Sequence, residues 1–508
     1  MAESAAPDGR APCIIGVGRA TWHPDSQGPD GAPEPLAMWE EVARAAAADA
    51  GAPRVLAAVQ RLMVVYCQTW QYDDPCGRLA ERIGAAPASS TYSGIGGSVP
   101  QVLLAEAAQS IMAGQLDVAL LVGAEALATQ RRLKKQGRRP VLSHGAAERR
   151  PMPFDTPFLP AEMAHEVFQA YLTFALFDSA RRARAGTPLD EFRRADAELL
   201  ANMSEVAAAD PEHAWFPVGR SPEAIGEPGP ENRMVAYPYT KLMTAIMDVD
   251  MAAGVLVASA AEADRLGVPP EQRVYLRGWG YAEDPAYVAE RDALGRSVAM
   301  AVAAEAALAG AGVGIDDVAH LDLYSCFASS LGFALDALGL DQARFGAGGE
   351  RSLTVTGGLP YHGGPGSNYM THSVAAMAER LRQEPGAFGL VSGVGMHMTK
   401  HAFGLWSTEP GPVVPPDPAA LARQVSRRQP VRPIVESAEG TATVAAYSVL
   451  HGADGAPARG VLVCDLAGGD RCYGWLEDEA AVREAESSEL IGRAVSLRPD
   501  GAVNRAHL

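Results

Sequence analysis

Short apolar runs alternate with longer amphipathic stretches through the first part of the chain. The apolar run 13–18 precedes the alanine-rich stretch 35–51, and the apolar run 59–67 precedes the amphipathic stretch 75–84. A short apolar run bounded by turn residues is typical of a buried strand, and apolar positions three or four apart are typical of a helix. The alternation predicts an α/β protein with a largely parallel sheet that helices cover on its faces.

Two pairs of segments repeat along the chain in the same order. Residues 45–67 align without a gap with residues 304–326, and both read as an alanine-rich helix, a linker, a strand and a cysteine. Residues 96–123 align in the same way with residues 366–393, and both read as a glycine turn, a helix and a buried strand. Two matches in the same order predict a duplicated α/β unit.

Residues 125 to about 245 interrupt this alternation. An insertion of this length is usually functional, for example as a lid or as a subdomain that covers a substrate. It contains the basic run QRRLKKQGRR at 130–139. Two interpretations of the run stay open: a solvated helix face, or a contact with the phosphates of a bulky cofactor.

The composition changes after a proline-rich linker at 407–420. Residues 439–466 read as two long strands joined by a Gly/Asp/Pro turn, and a charged helix and a last strand follow. This pattern predicts a small β-rich domain of barrel type. We therefore expect three parts: 1–270, which includes the insertion; 271–408; and the small domain at 420–508.

Charge and cysteine content exclude several functions. The 508-residue chain carries 43 Lys and Arg against 61 Asp and Glu, a net charge of −18, and a nucleic-acid partner is disfavoured because it needs a basic face. No run approaches the roughly 20 apolar residues of a membrane span, and the first residues do not resemble a signal peptide. We therefore expect a cytoplasmic protein. The six cysteines form no CxxC pair, which argues against a disulfide framework or a zinc site.

Four phrases in the two repeated units carry a resemblance to a known family: YSGIGGSVPQ (92–101), YSCFASSLGFALDALGL (324–340), TVTGGLPYHGGPGSNYMTHS (354–373) and GLVSGVGMHMTKHAFG (389–404). They resemble the thiolase superfamily, and within it the sterol-carrier-type thiolases and the subgroup called thiolase-like protein type 1. The resemblance covers about residues 11–405. It implies the thiolase fold, in which two duplicated α/β halves form layers in the order αβαβα, and a small additional C-terminal domain, which we expect to be OB-like.

The resemblance also shows what this chain lacks. Thiolases hold the acyl group on a cysteine at a helix N-terminus, where the helix dipole favours the thiolate, and that position is Gly94 here. The family's proton-accepting histidine falls on Gly364, and its second cysteine falls on Gly393. The Asn or His that binds an enolate oxygen falls on Tyr324. Residue chemistry therefore excludes the ordinary thiolase mechanism.

Other side chains in the same loops are candidates for acid, base and nucleophile. Tyr324 follows an apolar strand, so its phenol is a candidate donor to an enolate or aldol oxygen; the alternative is a packing tyrosine. His362 is the candidate general base, and His397 or His401 is a candidate to line the site. Ser93 is either a nucleophile one position before the missing cysteine or a hydroxyl that hydrogen-bonds the turn.

Further residues are candidates for binding. The backbone N–H groups of Gly393 to Gly395 form a candidate oxyanion hole, because that function needs no side chain. Lys241, with Tyr237 and Tyr239, has the composition of a substrate loop; the alternative is a rigid surface crossing. Neither a phosphate-binding loop nor a dinucleotide fingerprint is present, so we expect no permanently bound cofactor and no metal.

Two functional hypotheses follow from different classes. The first is an acyltransferase-like enzyme that acts on acyl-CoA or carrier-bound thioesters without a cysteine nucleophile, by acid/base catalysis and oxyanion stabilisation. Acyl transfer and aldol or retro-aldol cleavage both fit this chemistry, with a coenzyme A thioester as the substrate. The second is a non-catalytic thiolase relative that binds acyl-CoA or organises a pathway complex. A homodimer and a monomer both stay open.

Overall fold

The computed structural model of the protein describes residues 8–148, 158–346 and 351–508. The first half begins with β1 (Pro12–Thr21), α1 (Pro35–Asp49), β2 (Arg61–Val64), α2 (Pro75–Ile83), β3 (Ser89–Tyr92), α3 (Val99–Met112) and β4 (Val118–Ala126). The insertion follows with α4 (Leu127–Lys135), α5 (Pro160–Ala164), α6 (Ala170–Ala185), α7 (Leu189–Ala208), α8 (Pro222–Gly226), β5 (Met234–Ala236) and β6 (Tyr239–Thr240). The first half ends with β7 (Asp250–Ser259) and α9 (Ala260–Leu266). Residues 149–157 of the predicted insertion lie outside the described residues.

The second half and the tail complete the chain. The second half contains β8 (Val274–Glu283), α10 (Val298–Ala311), β9 (Val318–Asp322), α11 (Ala328–Leu338), α12 (Gly358–Tyr361), α13 (Tyr369–Gln383), β10 (Phe388–Gly395) and β11 (Lys400–Ser407). The tail contains α14 (Pro418–Arg428), β12 (Gly440–His451), β13 (Pro457–Asp465), β14 (Arg471–Leu476), α15 (Glu479–Glu484), β15 (Ala494–Asp500) and β16 (Val503–His507).

A nine-stranded sheet runs through both halves in the order β3-β2-β4-β7-β1-β8-β11-β10-β9. The expectation of a largely parallel sheet is wrong: β2 is parallel to β3 and β4, β9 is parallel to β10, and the remaining neighbours are antiparallel. The connections explain the difference. The link from β10 to β11 is too short for the crossover that a parallel pair requires, and the chain returns from the insertion antiparallel to β4 as β7.

The layers of the fold follow from which helices contact which strands. Helices α3 and α13 contact each other and strands of both halves, so they form the middle layer. Helix α1 packs on β1, β4 and β7, and α10 packs on β8 and β11. Along β1, Cys13 and Ile15 pack in the core with α1, whereas Ile14 packs in the core with α3 and α13. The duplicated αβαβα arrangement that the resemblance implies is confirmed.

The strands of the tail close into a barrel. They pair in the order β13-β14-β16-β15-β12, and β12 pairs back with β13. The two long strands lie where the sequence predicts them, but the predicted last strand, β15, is followed by β16. Strand β5 of the insertion pairs with β12, where Ala236 lies opposite Leu450. The insertion and the barrel therefore share one sheet.

Buried polar contacts also attach the barrel to the two halves. The Tyr473 hydroxyl accepts a hydrogen bond from the Ala289 N–H at 3.0 Å and donates to Glu162 Oε1 at 3.1 Å. Glu162 also accepts from the Val288 N–H at 2.9 Å. Burial raises the pKa of the Glu162 carboxyl, and the hydrogen bonds that it accepts oppose this shift by stabilising the ionised form. One phenol thus connects the barrel, the insertion and the second half.

We expect the substitution Tyr473→Phe to lower the free energy of unfolding by about 1–3 kcal/mol, because it leaves a buried N–H unpaired and removes a donor from Glu162. Urea unfolding of the full chain measures the loss. The control is Tyr171→Phe on α6, where the ring is half-buried and no hydrogen bond of its hydroxyl to a described residue is present. Equal stability of the two variants would contradict the role given to Tyr473.

Candidate functional site

The glycine turn before α3 lies where the two halves meet. A Cβ added at Gly97 would lie 2.1 Å from Tyr324 Oη and 2.4 Å from the Val394 carbonyl oxygen. Tyr324 comes two residues after β9, and Val394 is near the end of β10. The turn of the first half is therefore in direct contact with the carboxyl ends of two strands of the second half, the edge at which α/β sheets bind ligands.

The structure brings the segments of the four family positions together. A Cβ at Gly393 would lie 2.9 Å from the Gly97 carbonyl oxygen, so Gly393 is packed against the same turn. The loop after Gly364 reaches it as well, because the Gly96 N–H donates to Ser367 Oγ at 3.0 Å. Gly94 is exposed at the start of the turn. The segments therefore meet at the glycine turn before α3, where the Tyr324 phenol also lies.

Ser93 is engaged by the backbone on both sides. Its hydroxyl accepts from the Tyr66 N–H at 2.9 Å and donates to the Gly94 carbonyl oxygen at 2.9 Å. The side chain is buried. A serine needs a base within hydrogen-bond reach to act as a nucleophile, and here its proton is held by a carbonyl oxygen. The observed contacts are those of a residue that holds the turn.

His362 and His372 form a fully buried pair. His362 Nε2 lies 3.3 Å from His372 Nδ1, and the other ring nitrogens have no hydrogen-bond partner among the residues that the structure describes. Burial, with a smaller contribution from Arg19, lowers the pKa of His362 to about 3. Burial also lowers the pKa of His372 well below its ordinary value. Both imidazoles are therefore neutral at pH 7 and enclosed by protein.

His397 lies in the short link between β10 and β11. Its flanking residues Met396 and Met398 have φ of 56° and 53°, in the left-handed region that non-glycine residues rarely adopt. His397 Nδ1 lies 2.8 Å from Thr173 Oγ1 on α6, and the Phe158 ring meets the imidazole edge-on at 5.0 Å. Burial lowers the pKa of His397 to about 4. The structure thus places His397 against the insertion, as a neutral imidazole.

The remaining candidates have structural contacts. His401 Nε2 lies 3.1 Å from Asp284 Oδ2 and 3.1 Å from Ser297 Oγ, in a fully buried group at the start of α10. Tyr239 is buried and donates to a carboxylate on α6, and Tyr237 packs in the core of the barrel. Lys241 is exposed just after β6. The loop of Tyr237 and Tyr239 is therefore a connection between the insertion and the barrel.

The sequence reasoning missed Glu125 at the end of β4. This carboxylate is fully buried and accepts from the Gln68 N–H at 2.7 Å and the Thr69 N–H at 2.9 Å. Burial raises its pKa to about 7. A Cβ added at Gly366 would lie 2.6 Å from Glu125 Oε1, so the carboxylate borders the loop that contains Gly364. The sequence does contain a signal for this residue, because Glu125 is the single acidic residue within the apolar strand ALLVGAEA (119–126).

Comparisons with known proteins agree with this fold. Residues 421–502 match the model of the thiolase-like protein type 1 additional C-terminal domain. The whole chain is similar to the crystal structure of a monomeric SCP2-thiolase-like protein type 1 from Mycobacterium smegmatis, with 33% identity, 99% of each chain covered and a TM-score of 0.85. The chain belongs to the thiolase-like protein type 1 family. No curated protein sequence matches it.

Two further solved structures share the fold of this chain at lower sequence identity. An acetyl-CoA acetyltransferase from Syntrophomonas wolfei is 16% identical, with 78% of this chain and 99% of that chain covered and a TM-score of 0.53. The dimeric peroxisomal thiolase of Saccharomyces cerevisiae is 14% identical, with 79% and 98% covered and a TM-score of 0.54. Among the described residues of the thiolase-like chain, each helix is too short or too polar to cross a bilayer.

We expect Gly97→Ala to destabilise the protein by about 1–3 kcal/mol, because the added methyl would overlap Tyr324 Oη and a backbone carbonyl oxygen of β10. Chemical unfolding of the full chain measures the effect. Gly28→Ala is the matched control, because nothing lies within 4 Å of a Cβ at Gly28. If both variants unfold at the same denaturant concentration, the contact between the glycine turn and Tyr324 does not exist in solution.

Acidification should destabilise the protein through His362. Because burial lowers its folded-state pKa from 6.5 to about 3, this contribution to stability is present above pH 6.5 and is lost as the pH falls. Between pH 7 and pH 5 the loss is about 2 kcal/mol for one imidazole. His362→Gln should reduce the pH dependence of urea unfolding by that amount, whereas substitution of the exposed His507 should leave it unchanged. A wild-type pH dependence in His362→Gln would contradict the buried neutral state.

Proposed function

We propose that this thiolase-like protein binds an acyl thioester where its two halves meet, and that Tyr324 donates a hydrogen bond to the thioester carbonyl oxygen. One observation carries the proposal. Tyr324 Oη lies against the glycine turn and the end of β10, and no hydrogen bond joins it to any residue that the structure describes. Burial raises the pKa of this phenol far above its ordinary value, so it is a neutral donor at pH 7.

The proposed chemistry is non-covalent. The family's cysteine position is a glycine, and the Ser93 hydroxyl is occupied by backbone groups. Two cysteines lie on neighbouring segments, but burial raises the pKa of Cys326 to about 12 and that of Cys67 above its ordinary value. Since the thiolate is the nucleophile, neither thiol replaces the missing one at neutral pH.

A phenol that polarises a thioester carbonyl supports two reactions without an acyl-enzyme. One is the direct transfer of an acyl group between bound substrates, and the other is aldol or retro-aldol cleavage of a β-hydroxyacyl thioester. In both, negative charge grows on the carbonyl oxygen, and one well-placed donor contributes a factor of roughly 10² to 10³ in rate. Tyr324 is the side chain of this site to which we assign that role.

A second candidate is binding without turnover. It is favoured by the burial of His362 and His372, which places both imidazoles of the site out of contact with solvent. A general base must reach the proton that it removes, and these rings are fully enclosed. In this alternative the site binds an acyl thioester without converting it, and binding itself is the function of the protein.

We expect Tyr324→Phe to weaken the binding of acetyl-CoA and longer acyl-CoA thioesters about five- to tenfold, the value of one lost hydrogen bond. Isothermal titration calorimetry measures the affinity. Turnover is measured as the release of an aldehyde and acetyl-CoA from β-hydroxyacyl-CoA for retro-aldol cleavage, and as the release of coenzyme A from acyl-CoA for acyl transfer to an acceptor. The control is Tyr275→Phe at the amino end of β8. Unchanged affinity in Tyr324→Phe, or no acyl-CoA binding to the wild type, would overturn the proposal. Binding without turnover would support the second candidate.

A further inference from the structure

A cavity of about 840 Å³ lies outside the contact between the two halves. Its wall contains Leu127, directly after β4, Trp70, in the loop after β2, and Asp248, just before β7. The cavity thus sits at the carboxyl edge of the first-half sheet, beside the basic helix α4. Its volume is that of a site for a cofactor-sized small molecule.

The charge around the cavity is opposite to that of the whole protein. The chain has a net charge of −18, but the wall contains four basic side chains against the single carboxylate of Asp248. Arg131 forms an ion pair with Asp248, and Arg138 forms one with Asp30. Lys134 and Arg139 have no ion pair or hydrogen bond with a described residue. Two cations therefore face the cavity without an anionic partner in the described part of the chain.

An indole ring forms another part of the wall. Trp70 is half-buried, and its Nε1 is buried without a hydrogen-bond partner among the described residues. The loop that carries the ring is held firmly, because the Gln68 and Thr69 N–H groups donate to Glu125. Gln130 of α4 also donates to the Thr69 carbonyl oxygen at 2.9 Å. A fixed and partly exposed aromatic face is suited to stacking against a planar ring.

The geometry points to a binding site for a phosphate-bearing ligand with a planar ring, a group of the nucleotide type. Lys134 and Arg139 hold the phosphates by charge-assisted hydrogen bonds, and the ring lies against Trp70. The shared chemistry has two sources: a free nucleotide, or the nucleotide end of a carrier that brings the thioester. The inference does not depend on Tyr324. Only the carrier source rests on the proposed function, because that carrier brings the thioester.

The first experiment titrates the full chain with ADP and with inorganic pyrophosphate by calorimetry at low salt. The double variant Lys134→Ala/Arg139→Ala should bind both at least tenfold more weakly, and raising the salt concentration should weaken wild-type binding. Lys135→Ala is the matched control, because Lys135 is exposed on the same helix and does not line the cavity. Equal affinities in all variants, or no binding of ADP at about 1 mM, would overturn the inference.

The second experiment tests the ring. Trp70→Leu should weaken ADP at least fivefold but leave pyrophosphate unchanged, and Trp70→Phe should restore most of the ADP affinity. Equal losses for both ligands would overturn the stacking role. Coenzyme A distinguishes the two sources: binding tighter than that of ADP indicates the carrier, and equal binding indicates a free nucleotide. Tyr324→Phe should leave ADP binding unchanged, so a failed thioester site and a failed nucleotide site give different results.

Discussion

The interaction on which the site depends is a contact between a bare backbone and a phenol. Because Gly97 has no Cβ, the turn of the first half lies directly against Tyr324 and the Val394 carbonyl oxygen of the second half. Gly393 meets the same turn from the other side, with the Ser98 Cα 2.9 Å from where its Cβ would be. Side chains at these positions would force the two halves apart. Packing therefore requires these glycines, with or without a cysteine in the turn. Their presence alone indicates the fold and not a particular reaction.

Burial then decides which chemistry the site can support. Water is excluded from Tyr324 and His362, which are 6% and 0% exposed, so the neutral form of each is favoured. The same burial keeps the Cys326 thiol protonated. The neutral phenol and imidazole can take part in hydrogen bonds, but the described residues do not present a thiolate or an imidazolium there.

The sequence predicted the architecture well, because repetition and periodicity are local signals. The pairing of residues 96–123 with residues 366–393 anticipated that α3 with β4 and α13 with β10 are equivalent. Strand direction was not predictable in the same way, because it depends on connection length and on where the insertion returns the chain. Side-chain contacts were harder to predict than strand direction. Nothing in the sequence around Ser93 indicates that its hydroxyl accepts a hydrogen bond from the Tyr66 N–H. Similarly, His362 Nε2 and His372 Nδ1 come into contact only in the folded chain.

The basic run on α4 shows how structure separates residues that a sequence pattern groups together. Arg131 pairs with Asp248, and Arg132 donates to Gln27 at 3.2 Å, so both serve local structure. Lys134 borders the cavity without such a partner among the described residues. The position also matters: Asp248 follows Ile246 by two residues, and the Ile246 carbonyl oxygen accepts the Gly364 N–H at 2.8 Å. The segment 246–248 therefore contacts both the cavity and the loop that contains Gly364.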